Sequence, residues 1–116
     1  MKVRRGDIVI VDLSPTKGSE QQGMGRPCVV IQNDVGNRNS PTTIVAPFTK
    51  QYTPGNAYPF EVEVLSSNTV LTHDSVADLS QIRAVDVDKR VKKNIGSVPS
   101  SRIEKIDTAM KTSLGL

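Results

Sequence analysis

The sequence predicts a mainly β domain, a small antiparallel barrel or curled sheet with a single C-terminal helix. Three observations carry that expectation. Short runs of β-branched residues recur along most of the chain, clusters of turn formers interrupt them about every ten residues, and only the tail shows helical spacing. At 116 residues the chain is expected to form one domain, 1–116. Hydrophobic residues make up 36 % and there is no tryptophan, so Val, Ile and Leu must supply the core.

Ile8-Val-Ile-Val-Asp-Leu13 is an almost unbroken apolar run stopped by Ser14-Pro15, as a strand followed by a turn should be. Arg26-Pro-Cys-Val-Val-Ile-Gln-Asn33 reads as a second strand, with Pro27 at its start where a missing amide does least harm. Gly36-Asn-Arg-Asn-Ser-Pro41 is dense in turn formers, and Thr42-Thr-Ile-Val-Ala-Pro-Phe-Thr49 gives a third strand. A loop follows over 51–58, around Pro54-Gly55-Asn56. Phe60-Glu-Val-Glu-Val64 alternates apolar and acidic residues, the pattern of a strand with one wet face. Val70 to Ala77 and Ile82 to Val87 are further strand candidates. In the tail, Ser101-Arg-Ile-Glu104 fits a capping box preceded by Pro99, and Ile103, Ile106, Met110 and Leu114 make one apolar stripe expected to lie on the sheet.

Several function classes fall away. Cys28 is the single cysteine, which excludes an internal disulfide and suits a reducing compartment. No apolar run approaches the roughly 18 residues of a membrane span, and the N-terminus lacks a signal-peptide core, so a soluble cytoplasmic protein is expected. The net charge of +3 and pI near 9.2 permit polyanionic partners without identifying one. One histidine, His73, allows neither a two-histidine ribonuclease arrangement nor a histidine-based metal cluster within one chain, and alone it is assigned no role. Gly23-Met-Gly25 lacks the Lys-Ser/Thr and the helix start of a phosphate-binding loop.

The remaining polar feature is Gly18-Ser-Glu-Gln-Gln-Gly-Met-Gly-Arg26-Pro27, set between two apolar runs. A hairpin connection accounts for it structurally. However, Arg26 is anchored at the start of a strand rather than on a mobile tip, and Ser19, Glu20, Gln21 and Gln22 supply donors and acceptors suited to base edges and phosphates.

Taken in order, Gly6-Asp7, Asp12-Leu-Ser-Pro-Thr-Lys-Gly-Ser-Glu-Gln21, Arg26-Pro-Cys-Val-Val-Ile-Gln-Asn-Asp34, Tyr58-Pro-Phe-Glu-Val62 and Ile95-Gly-Ser-Val-Pro99 closely resemble the MazF/PemK/Kid toxins, the messenger-RNA interferases of type II toxin–antitoxin pairs. The resemblance runs nearly end to end. It implies an SH3-like barrel of five to seven antiparallel strands with a C-terminal helix, a homodimer, and sequence-specific, ribosome-independent cleavage of single-stranded RNA without metal or cofactor. It places the reaction on Arg26 and Thr49, with Glu20 as a further catalytic candidate in a loop one residue longer than in several relatives. Ser19, Gln21, Tyr58, Pro59, Ser75 and Gln81 are its RNA-binding candidates. Its implied partner is an antitoxin whose disordered, acidic C-terminal tail blocks the RNA groove.

Cleavage without metal requires the neighbouring 2′-OH to attack phosphorus, giving a 2′,3′-cyclic phosphate and a 5′-OH end. A planar guanidinium suits the developing phosphorane oxygens, with a threonine hydroxyl as a second donor. Because arginine stays protonated at neutral pH, charge stabilisation ranks ahead of proton transfer as its role. Two alternatives stand beside this reading: a CcdB-like gyrase-binding toxin, which shares the fold without the Arg/Thr pair, and a non-catalytic SH3-like binding module.

Overall fold

The computed structural model describes residues 1–15, 17, 18 and 25–116, apart from the side chain of Asn68. Seven strands are present among them: β1 (Asp7–Val11), β2 (Arg26–Val30), β3 (Thr42–Thr49), β4 (Glu61–Val64), β5 (Ser75–Asp78), β6 (Arg83–Asp86) and β7 (Val91–Ser97). Two short helices, α1 (Asp34–Asn39) and α2 (Val87–Arg90), and single 3-10 turns at Ser66–Asn68 and Leu79–Gln81 interrupt them, and α3 (Ser100–Leu114) ends the fold.

All pairings are antiparallel, in the order β4-β5-β3-β2-β1-β7, with β6 joined to β3. The long β3 is the pivot. One edge bonds β2, while the other bonds β6 along Thr42–Val45 and then β5 at Phe48 and Thr49. The expected all-antiparallel sheet with a terminal helix is therefore present. The term barrel holds only loosely, because the end strands β4 and β7 do not pair with each other among the described residues.

The near-continuous apolar runs of β1 and β2 reflect burial on both faces. Ile8, Val29, Ala46 and Phe48 point to one core, which β4 and α3 complete with Val62, Val64, Ile106 and Ala109. Val9, Val11, Cys28, Val30 and Val45 point to the other, joined by Leu13, Val85, Val87 and Val91. Cys28 is fully buried, as its apolar neighbours predict.

Four sequence expectations need correction. Of Val70 to Ala77 only the end is strand: Val70 is exposed, and Thr69, whose hydroxyl accepts from the Leu71 amide, turns the chain instead. The turn-rich segment after Asn33 contains α1, whose Asn33 carboxamide oxygen caps the Gly36 amide. The capping box does not form. The helix begins two residues earlier, with Pro99 at the N-cap and no side-chain cap, so Ser101 lies inside the first turn. Finally, Leu114 is exposed rather than packed, while Ala109 takes part in the buried stripe with Ile106. Past it, Gly115 adopts a left-handed conformation (φ 74°) and the Leu116 amide donates to the Lys111 carbonyl, a glycine C-cap.

Candidate active-site groove

Arg26 opens β2, directly after the glycine-rich loop. Val11 pairs with it across β1, and continuing the register Cys28↔Pro47 by two residues sets it opposite Thr49 at the end of β3. Its Nη2 donates to the Phe48 carbonyl at 2.9 Å, so the guanidinium is tied to the backbone immediately before Thr49. The two residues singled out for chemistry thus share one end of the β2–β3 ladder. Strand pairing holds them there rather than a loop. Thr49 Oγ1 accepts from the Gln51 amide at 3.2 Å, which leaves its own proton available to another acceptor.

Beside this pair lies a groove of roughly 340 Å³. It is lined by Gly25, Arg26 and Pro27 from the start of β2, Phe48 and Lys50 from the end of β3, and the segment Leu71, Thr72, His73 and Ser75 leading into β5. Thr49 does not line it, lying in the chain between two residues that do. Lys50 and His73 are exposed. Neither was given a role from sequence: a lysine after a strand and a lone histidine in a turn carry no spacing signal, and it is the pairing of β3 with β5 that brings the His73 segment to the groove Arg26 lines.

The other candidates divide. Ser75 lines the groove but is buried, its Oγ donating to the His73 carbonyl at 2.9 Å, so it shapes the wall. Tyr58 and Pro59 line a second depression of roughly 410 Å³ that also includes Gln51 and Tyr52, and it meets the first along the chain at Lys50 and Gln51. There the Tyr58 ring is 65 % exposed and stacks on Phe60, with centroids 5.4 Å apart and planes 5° from parallel. That presents a flat apolar face to solvent. Gln81 sits in a 3-10 turn and lines neither depression. Ser19, Glu20 and Gln21 lie outside the described residues.

The approach to the loop is firmly held. Arg83 Nη1 donates to the Leu13 carbonyl at 2.9 Å, and Arg90 Nη1 to the Asp12 carbonyl at 3.0 Å and the Ser14 carbonyl. Ser14 hydrogen bonds, from hydroxyl and amide, hold the Asp12 carboxyl below its usual range. Burial pushes the Cys28 thiol up to about 12, overriding the nearby Arg26 and Arg83 charges, so it remains a neutral core group. Burial also raises Tyr52 to about 12, aided by the Glu63 carboxylate that its hydroxyl bonds at 2.7 Å. Among the described residues no three His, Cys, Asp or Glu side chains gather as a metal site, and no helix is long and apolar enough to cross a membrane.

Solved structures share this architecture. A MazF from Deinococcus radiodurans matches with a TM-score of 0.80 at 21 % identity, covering 100 % of this chain and 99 % of that one. An endoribonuclease solved with its cognate antitoxin from a mycobacterial species gives 0.77 at 23 % identity, covering 98 % and 96 %. The Mycobacterium tuberculosis toxin MazF-mt6 gives 0.76 at 21 %, covering 95 % and 97 %. At such identities the likeness establishes the fold. The sequence itself matches the PemK-like, MazF-like toxin family of type II toxin–antitoxin systems over residues 4–114. With nearly the whole chain matched, and Arg26 and Thr49 brought together at one sheet end, this protein belongs to that toxin family.

Proposed function

We propose that the protein is an endoribonuclease that cuts single-stranded messenger RNA at specific sequences, independently of metal and of the ribosome, by attack of the 2′-OH on the adjacent phosphorus. The observation that carries this reading is the guanidinium of Arg26, bonded to the carbonyl of Phe48 beside Thr49 and facing an open, cationic groove. A guanidinium so held is preorganised for the phosphorane oxygens. Charge stabilisation of this kind is commonly worth about 10²–10³ in rate per donor. Thr49 supplies a second, neutral donor from the neighbouring strand position. The Tyr58–Phe60 stack offers a face for an unpaired base, a contact worth about 1–3 kcal/mol per base.

Family membership supports an antitoxin partner, and the solved relatives include toxin–antitoxin complexes. Accordingly, an acidic antitoxin tail is proposed to occupy the same basic groove as RNA, with the toxin acting as a homodimer in the cytoplasm. Glu20, Ser19 and Gln21 remain proposed contributors from the loop.

Purified protein incubated with a long transcript in EDTA should give discrete fragments with 5′-OH and 2′,3′-cyclic phosphate ends. Arg26→Lys, which keeps the charge but loses the planar donor pair, should cut about 10²-fold slower. Efficient cleavage of a DNA copy would exclude 2′-OH attack.

A further inference from the structure

Transfer to the 2′-oxygen leaves one demand that Arg26 and Thr49 meet poorly. As the 2′-O–P bond forms and the P–O5′ bond breaks, the leaving O5′ needs a proton. Guanidinium does not surrender one near neutrality, and a threonine hydroxyl is a weak acid. The groove that Arg26 lines is also lined by the chain's one imidazole.

We propose that His73 is the general acid of the reaction, donating the Nε2 proton to the leaving 5′-oxygen in the groove it shares with Arg26. The inference rests on the ribonuclease reading and adds to it a residue that the sequence leaves without a role. His73 lies in the turn before β5, and its backbone is fixed by the Ser75 hydroxyl on its carbonyl at 2.9 Å. Its Nδ1 lies 3.0 Å from Thr72 Oγ1. In the protonated ring both nitrogens are donors, so with Nδ1–H bonded to the threonine, Nε2–H is the proton left for a ligand in the groove that His73 lines.

The surrounding charges fit the task. From the start of β2 comes Arg26, and from the end of β3 comes Lys50, both lining the same space. Asp74, next in the chain, accepts the Ser66 amide at 2.8 Å, which directs it toward the 3-10 turn, and Glu63 of β4 is engaged by the Tyr52 hydroxyl. The proton balance is complete: the 2′-OH proton passes to solvent, O5′ takes the imidazolium proton, and the neutral ring is reprotonated from water.

The test uses an oligoribonucleotide spanning a cut site first mapped with the wild-type protein on a long transcript. His73→Gln should lower kcat about 10²–10⁴-fold, with KM changed less than about threefold. It should also lose the alkaline decline of the wild-type kcat–pH profile that deprotonation of a general acid produces. Replacing the leaving O5′ by sulfur, which departs without a proton, should restore the variant to within about tenfold of wild type. That rescue also reports a folded enzyme. An unchanged rate and pH profile in His73→Gln, or failure of the sulfur substrate to rescue, overturns the role of His73 while the ribonuclease reading stands. A wild-type protein that leaves the transcript intact overturns both.

Discussion

At the level of single residues, placement by a strand register decides what a side chain can do. Arg26 stood out in the sequence as a cation anchored at the start of a strand, whereas Thr49 came only from the family resemblance, and the antiparallel β2–β3 register brings the two together. His73 was not legible, because its approach depends on β3 exchanging β6 for β5 as its partner midway, and Lys50 carries no signal beyond following Thr49 in the chain. Cys28 shows the opposite case, a nucleophile silenced by position. Flanked by Pro27 and Val29 and fully buried, its thiol is raised to about 12, so almost no thiolate forms at pH 8, and thiolate is the reactive species. Labelling with a thiol-specific disulfide reagent at pH 8 should therefore proceed at the global unfolding rate, and should become fast in denaturant. Rapid labelling of the native protein would show that the core around β2 opens locally.

At the level of elements, unbroken apolar runs revealed β1, β2 and β3, apolar alternation revealed β4, and elements with neither pattern were missed. β4 was plain because Glu and Val alternate. β7 escaped notice: Val91-Lys-Lys-Asn-Ile-Gly-Ser97 exposes most of its residues as an edge strand, and register shifts against β1 after Ile8 and Ile10 break its alternation. α1 escaped because side-chain caps rather than buried residues hold it. α3 was found for its stripe, but its start was misjudged, and the two halves of that judgement have different energetic consequences. Ser101 is exposed and inside the helix, so Ser101→Ala should change stability by less than about 0.5 kcal/mol, against the roughly 1 kcal/mol of a true N-cap serine. Ile106 is 1 % exposed against the sheet, and Ile106→Ala should cost about 2–5 kcal/mol. Urea denaturation of the two variants separates them, and a costly Ser101→Ala would mean that the capping box forms in solution.

At the level of the whole molecule, charge links stability and binding to the medium. Asp12 is held low by Ser14, and Asp34 by the Arg5 amide and the Asn37 side chain, so both carboxylates favour the folded state when ionised. The stability they contribute is present above the ordinary aspartate range, about pH 4, and is lost as pH falls through their lower folded values. The melting temperature should therefore fall between about pH 4.5 and pH 2.5, and Asp12→Asn with Asp34→Asn should flatten that acid limb. A double variant as acid-sensitive as wild type would place the linkage in other carboxylates.

The net charge of +3 gains functional meaning only where the fold concentrates it, and two cations, Arg26 and Lys50, line the same groove. If RNA and an acidic antitoxin tail compete for that space, phosphates and carboxylates must displace the same condensed ions and meet the same side chains. Single-strand binding loses about 0.7 in the slope of log K against log salt for each neutralised phosphate. Lys50→Ala should therefore reduce that slope by about 0.7 for a non-cleavable 2′-deoxy substrate, and weaken an acidic peptide most at low salt. An unchanged slope for the deoxy strand would put the phosphate path elsewhere on the sheet and leave Arg26 without a polyanion to hold.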